Sequence, residues 1–425
     1  MKKKIKQGLL LIQERFGVDM VYMARGSFWT TIGFIITSLA SLAVIWAFGN
    51  LISKETYGTY RYVLSLAGAL GFLTFSGINT AITQAVARGS DSVLPYGVKV
   101  QVKWNQVYLL AAAILASYYW FQGNTTIATG LIIIGVLFPV TTAMNSYGSY
   151  LVGKKDFKTA SLYGTYANLF YSLAMVATLL LTHSIVVLVA VYSVATFVPM
   201  LFFYLRTLSH VPKDKPTEDE KKELFDFGKH LSITHVFATI SQYIDKIVIF
   251  HFLGPAPTAI YGLAMALPER IRGYTKNIGS LVLPRLSEKN MEEIIPSFYT
   301  RTFQCILLGI GVSALYIIAA PYVFKIFLPQ YLDSVKYSQV ISLSFIFNIP
   351  GTYMGSVFNS QKLIRTIYAG SLTGHISKIV SITIFGALWG IWGAIVALLI
   401  SYAIGLPLGY YLWAQEVKRF KNSQV

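Results

Sequence analysis

Asp245, Lys246, Glu269, Arg270, Arg272, Lys276 and Lys378 are charged residues set inside long apolar runs. A full charge at the centre of a lipid-crossing helix costs about 2.5–3.5 kcal/mol on insertion scales. The run 260–283 holds four of them. Facing lipid, those four would cost on the order of 10 kcal/mol, comparable to the stability of a whole domain. They must therefore face protein or a wet cavity. Glu269, Arg272 and Lys276 follow i, i+3, i+7 spacing and share one helix face, whereas Arg270 lies about 200° round from Arg272. Ser371, His375 and Lys378 form a second polar face, and Ser241, Gln242 and Asp245 a third, with Lys246 beside it. Two chemistries compete. Asp245–Lys246 and Glu269–Arg272 could be ion pairs that fix helix packing, with Lys276 snorkelling to the interface. Yet five cations face two anions, and packing pairs should balance. The excess points to a solvated, positively biased chamber that attracts an anion. Asp245, Glu269 and His375 are the candidates for an ion-coupling site, taking a proton or sodium.

The elements that carry these residues follow from composition. Of 425 residues 55% are hydrophobic and only 12% are charged, and the mean hydropathy is +0.57. A soluble domain has about 25% charged residues, so this chain cannot cover a soluble surface. Cys305 is the single cysteine, which excludes a disulfide scaffold. Disorder is excluded by the apolar content. Crossing a ~30 Å hydrocarbon core takes about 20 mostly apolar residues. Twelve runs qualify: 27–48, 62–82, 104–121, 127–149, 160–181, 185–205, 231–253, 260–283, 302–320, 337–358, 367–385 and 389–412. Lipid offers the backbone no hydrogen-bond partner, so these runs are helices. Alternate segments hold 26 of the 35 Lys+Arg, while the opposite side holds only Lys54, Arg61, Lys325 and Lys336. The positive-inside rule places the basic side, with both termini, in the cytoplasm. The net charge of +17 therefore reads as cytoplasmic loops rather than nucleic-acid binding.

The expected layout is an all-α polytopic membrane protein of about 12 transmembrane helices. Residues 1–26 read as a basic amphipathic cytoplasmic segment. An N-lobe of six spans covers 27–209, a proline-containing cytoplasmic linker 210–230, a C-lobe of six spans 231–413 and a cytoplasmic tail 414–425. The two halves carry a faint echo: LISKETYGTY ends at Tyr60 and FLGPAPTAIY at Tyr261, 201 residues apart. The first-half spans hold no full charge and carry amides instead, among them Asn79, Asn145 and Asn168. Interhelical hydrogen bonds are the default reading for each of these. GxxxxGK[ST], HExxH, GxSxG and CxxC are absent, the six histidines are scattered, and no catalytic constellation or metal cluster is expected. The reading is thus a non-enzyme without cofactor.

The stretch 241–288, SQYIDKIVIFHFLGPAPTAIYGLAMALPERIRGYTKNIGSLVLPRLSE, resembles the seventh and eighth helices of bacterial polysaccharide flippases of the Wzx type. The carrying features are Asp followed by a basic residue, FLGP, a Tyr opening the next helix and a closing LPRLSE. Residues 48–89, from FGNLISKETYGTY to AVARG, resemble that family's first two helices. These flippases belong to the multidrug/oligosaccharidyl-lipid/polysaccharide (MOP) exporter superfamily. The resemblance implies two six-helix bundles around a central cavity in a bacterial or archaeal inner membrane. It implies flipping of an undecaprenyl-diphosphate-linked oligosaccharide, with polymerase machinery as a partner. Lys246, Arg272, Lys276 and Lys378, together with Arg270 and Arg61, would then hold the diphosphate. The uncharged first-half spans depart from an arrangement in which both lobes contact the anion. A drug/cation antiporter of the same superfamily would need acidic residues to dominate. A peptidoglycan-precursor flippase would have two further helices. A membrane glycan polymerase or ligase would carry a large external loop.

Overall fold

The structure is a computed structural model that describes the backbone of residues 20–422, and the side chains of all of these except 20–28 and 276–285. Residues 1–19 of the basic segment expected at 1–26 lie outside the described residues. Every element of regular structure among the described residues is a helix. In chain order they are α1 (Met20–Leu51), α2 (Lys54–Leu70), α3 (Ile78–Ala87), α4 (Val93–Trp104), α5 (Gln106–Phe121), α6 (Thr125–Met144), α7 (Ser146–Gly153), α8 (Phe157–Leu181) and α9 (Ile185–Leu208). The second half holds α10 (Glu218–Thr234), α11 (Val236–Leu253), α12 (Pro255–Ser287), α13 (Met291–Phe327), α14 (Ser334–Ser342), α15 (Phe345–Ser360) and α16 (Ile364–Asn422). Among the described residues, eight helical stretches are long and apolar enough to cross a membrane alone, and nine if the bent pair α2–α3 counts as one. The three remaining expected runs lie on α5, which has 16 residues, on the charge-bearing α12, and on the second part of α16. Gly390, at φ 60° and ψ −135°, splits α16 into two segments, a conformation that glycine adopts without a Cβ penalty.

The chain divides into two compact units. The first comprises the chain up to Val44, Leu73–Thr182 and Val186–His235; the second comprises Ile45–Phe72, His183–Ile185 and Val236–Val425. The stretch 45–72, read from sequence with the first-half spans, thus packs with the second-half helices. The reason is a broken helix. The run 62–82 is not continuous: α2 and α3 are bent by 57° across residues 71–77. A break inside lipid is tolerated only if its freed backbone groups find partners. Here the Phe75 N–H donates to Asn105 Oδ1 at 3.0 Å, Gln101 Nε2 donates to the Phe75 carbonyl, and the Gly77 N–H donates to Ser232 Oγ at 2.9 Å. Asn105 also donates to the Pro139 carbonyl, and the Ser146 hydroxyl, with its one proton, lies 2.7 Å from Asn79 Oδ1 and 3.0 Å from Gln101 Oε1. The neutral amides of the first unit therefore serve the backbone, with Phe75, Ile78, Ile82, Leu94 and Tyr147 closing the core around them.

Residues 210–230 are not simply a linker. From Glu218 the chain is helical, started by a reciprocal capping box between Thr217 and Glu220. Hydrogen bonds from Ser90 and from Thr217 hold the Glu220 carboxyl below its ordinary range. This helix, α10, buries Leu224 and sets Gly228 against Ile78, where a Cβ would come within 3.1 Å of the Ile78 Cα.

In the second unit α2 lies against α11 and α12 at very short range. Tyr62 stacks on Phe250 with ring centroids 3.7 Å apart. A Cβ on Gly58 would fall 1.8 Å from the Pro255 carbonyl oxygen, and one on Gly68 would fall 2.4 Å from the Tyr243 ring. The two echoed turns thus open the two helices, α2 and α12, that touch here. Elsewhere in this unit Phe298 stacks on the fully buried Trp413 at 4.3 Å. Because the obstacle at Gly58 is backbone rather than a movable side chain, Gly58→Ala is expected to destabilise the protein by about 1–3 kcal/mol. A lowered midpoint of thermal unfolding in detergent, relative to Gly164→Ala, a helical site with open space around it, measures this.

Candidate functional site

The second unit gathers charges on four of its helices, α2, α11, α12 and α16. Asp245 and Lys246 sit on α11, and both side chains are buried, 1% and 6% exposed. The Lys246 ammonium lies 3.4 Å from Asp245 Oδ2, and the Tyr261 hydroxyl at the start of α12 donates to the same oxygen at 3.0 Å. Lys246 Nζ also reaches Glu269 Oε1 on α12 at 3.8 Å. Arg272, one turn further along α12, reaches that same Glu269 oxygen at 4.0 Å. Its Nη1 donates to the Tyr402 hydroxyl of α16 at 2.7 Å, and its guanidinium sits over the Tyr402 ring at 5.6 Å. Arg61 of α2 crosses Gly262 of α12, where a Cβ would lie 3.7 Å from its Nε, and is within electrostatic range of Glu269 and Tyr57.

A second group stands beside the first. Ser241 of α11 and His375 Nδ1 of α16 are 2.8 Å apart. The Ser241 hydroxyl donates its proton to the Ala238 carbonyl. Lys378, one turn on, acts electrostatically on both His375 and Asp245.

Of the sequence-derived residues, the structure brings Arg61, Asp245, Lys246, Glu269 and Arg272 into one network, with His375 and Lys378 at its edge. Arg270 is half-buried and makes no ion pair with a described residue. The side chain of Lys276 lies outside the described residues. Sequence reasoning missed Tyr261 and Tyr402. Tyr261 carried a usable signal, since a buried carboxylate needs donors and this Tyr opens the very next helix. Tyr402 lies 130 residues from Arg272, and nothing in the spacing marks it.

The arrangement is chemically uneven. Lys246 is enclosed and already neutralised by Asp245. Glu269 is 43% exposed, and its ion-pair contacts among the described residues, at 3.8 and 4.0 Å, lie near the ion-pair limit. A guanidinium has five N–H donors, and Arg272 commits one of them to Tyr402. The exposed, loosely held edge of the network is therefore Glu269 with Arg272. An incoming oxyanion could replace the Glu269 carboxylate there and accept two guanidinium donors side by side.

The sequence profile of the polysaccharide biosynthesis protein family matches residues 23–290. A Shigella flexneri protein named for O-antigen transport is 18% identical over 432 residues, covering 94% of this chain and 99% of its own. Among solved structures, the lipid II flippase MurJ in an inward closed conformation aligns with a TM-score of 0.71 at 14% identity, covering 91% of this chain and 87% of that one. An inward-facing multidrug resistance MATE transporter of the MOP superfamily aligns with a TM-score of 0.69 at 14% identity, covering 94% and 100%. The fold is that of the MOP superfamily, as the sequence resemblance implied, and the chain is a multi-pass membrane protein.

Removing one member of a desolvated pair strands the other charge at a cost of about 3–5 kcal/mol, whereas replacing both with apolar groups is often neutral. Asp245→Leu is therefore expected to lower stability by that amount, and Asp245→Leu combined with Lys246→Met by much less. A double-mutant cycle on thermal unfolding in detergent reads the coupling.

Proposed function

The chain belongs to the polysaccharide biosynthesis protein family, and from that premise we propose that it is a flippase for a lipid-linked oligosaccharide. In this reading an undecaprenyl-diphosphate-linked glycan passes from the cytoplasmic to the outer leaflet of the inner membrane during assembly of a cell-surface polysaccharide. The observation that carries it is the Arg272 guanidinium, set on α12 beside the exposed Glu269 and with donors to spare. The O-antigen name of the Shigella flexneri relative supports the glycan, and the lipid II flippase likeness supports a lipid-linked headgroup.

The mechanism is alternating access. The site opens to the cytoplasm, the diphosphate exchanges for Glu269 on Arg272 and Arg61, and the polyprenyl tail stays in the bilayer. Lys276, Lys378 and Arg270 add to the positive potential, and Lys246 acts chiefly through Asp245 and Glu269. The site then opens outward. An inside-negative potential favours outward movement of the anion and return of the vacated cationic site, by about 2.3 kcal/mol per charge per 100 mV. His375, Asp245 and Glu269 are the groups for proton or sodium coupling. Both termini lie in the cytoplasm, following the excess of Lys+Arg on that side. A glycan polymerase would receive the product on the outer face.

The test is export. In cells lacking the native copy, the lipid-linked intermediate is expected to accumulate in the inner leaflet, and its mass identifies the glycan. Losing a charge-assisted hydrogen bond costs roughly 1.5–3 kcal/mol. Arg272→Gln is therefore expected to cut surface glycan about tenfold or more at unchanged membrane levels of the protein, with Arg272→Lys recovering part of it. Full export by both Arg272→Gln and Arg61→Gln would overturn the cationic-site mechanism.

A further inference from the structure

We propose that the first compact unit carries a binding site for the phosphate headgroup of an anionic phospholipid, at the cytoplasmic ends of α8 and α9 and separate from the charge network. The two helices run antiparallel, so the start of α8 and the last turn of α9 lie at the same end. Lys158 stands in the first turn of one and Arg206 in the last turn of the other. Both fall on the basic side of the chain.

Between them lies a recess of about 540 Å3 lined by Lys158, Tyr163, Tyr166, Phe202, Phe203 and Arg206. Tyr163 and Phe203 stack at 4.2 Å with an interplanar angle of 15°, forming a wall between the helices. Arg206 lies over the Tyr163 ring at 5.9 Å, and Lys158 over the Trp29 ring of α1 at 5.2 Å. Aromatic faces position these two cations without neutralising them. Among the described residues, neither has a carboxylate within 4.0 Å. Two cations without a carboxylate partner among the lining of one recess suit a phosphodiester.

The apolar surroundings choose the source of that phosphate. Below the recess, toward the hydrocarbon core, Tyr166, Phe170 and Leu173 on α8 and Phe202 and Val198 on α9 are exposed. They continue the recess as a lipid-facing stripe on which acyl chains would lie. A free phosphate would leave both the aromatic wall and the stripe unused. Basic pockets between helices on the cytoplasmic side are the setting in which anionic headgroups bind.

The experiment is native mass spectrometry of the full-length protein in detergent, titrated in parallel with phosphatidylglycerol, phosphatidylcholine and inorganic phosphate. The wild type is expected to retain one phosphatidylglycerol with about tenfold preference over phosphatidylcholine, and inorganic phosphate at equal concentration is expected not to displace it. Lys158→Gln with Arg206→Gln should abolish that preference without lowering the unfolding temperature in phosphatidylcholine, and Arg206→Lys should retain most of it. If the double variant does not fold, each single variant should show an intermediate preference. Phe202→Ala should weaken retention of both lipids alike, because it shortens the apolar wall and leaves the charges in place. An unchanged preference in the charge variants would overturn the site. Displacement by inorganic phosphate would overturn its assignment to a lipid.

Discussion

A charge inside an apolar helix has no solvent to turn to, and the packing of the second unit answers that constraint. Asp245 and Lys246 are neighbours in sequence, yet their mutual contact leaves lone pairs and protons over. Tyr261 completes Asp245, Glu269 engages Lys246, and Arg272 ties Glu269 to Tyr402. α11, α12 and α16 are therefore linked through one set of side chains. The close approach of α2, made through Gly58 and Gly68, brings Arg61 to the same set. Each link is modest, but breaking one exposes an unpaired charge to a medium of low dielectric, so the set holds together or fails together.

The first unit meets the same absence of solvent with neutral groups. Its strain lies in the backbone, at the break between α2 and α3. There Asn105, Gln101 and Ser232 supply the hydrogen bonds that a continuous helix would have made. Amides and hydroxyls suffice because a freed N–H or C=O needs one partner of ordinary strength, not a counter-charge. The two units thus divide the polar chemistry. One stabilises an irregular backbone, and the other holds a network of charges whose exposed edge is the Glu269 carboxylate.

Much of this was legible in the residues. The twelve apolar runs fall on helical residues apart from short breaks, the longest at residues 74–77, because hydropathy over 20 residues reports a requirement of the bilayer, while the breaks depend on partners elsewhere in the fold. The shared face of Glu269 and Arg272 on α12 was legible because helix geometry alone sets it. What could not be read was which cations remain available. From spacing, Lys246 and Arg272 are equivalent members of one cluster. In the fold, Lys246 is enclosed with Asp245, and Arg272 is left beside an exposed carboxylate. The capping box Thr217–Glu220 was present in the sequence and still read as linker, because proline and mixed charge dominate that stretch.

Composition and periodicity alone determined that this chain is a bundle of membrane-crossing helices and that its costly charges lie in the second half. Both are local matters: the transfer cost of a residue, and its angle about a helix axis. Only the tertiary structure decided that residues 45–72 pack with the second half, that Tyr261 and Tyr402 complete the network, and that Glu269 forms its open edge. Those outcomes depend on contacts between residues 130 or more positions apart, such as Arg272 with Tyr402 and Tyr62 with Phe250. Such contacts arise from the way whole helices come together, and no window of sequence contains both partners.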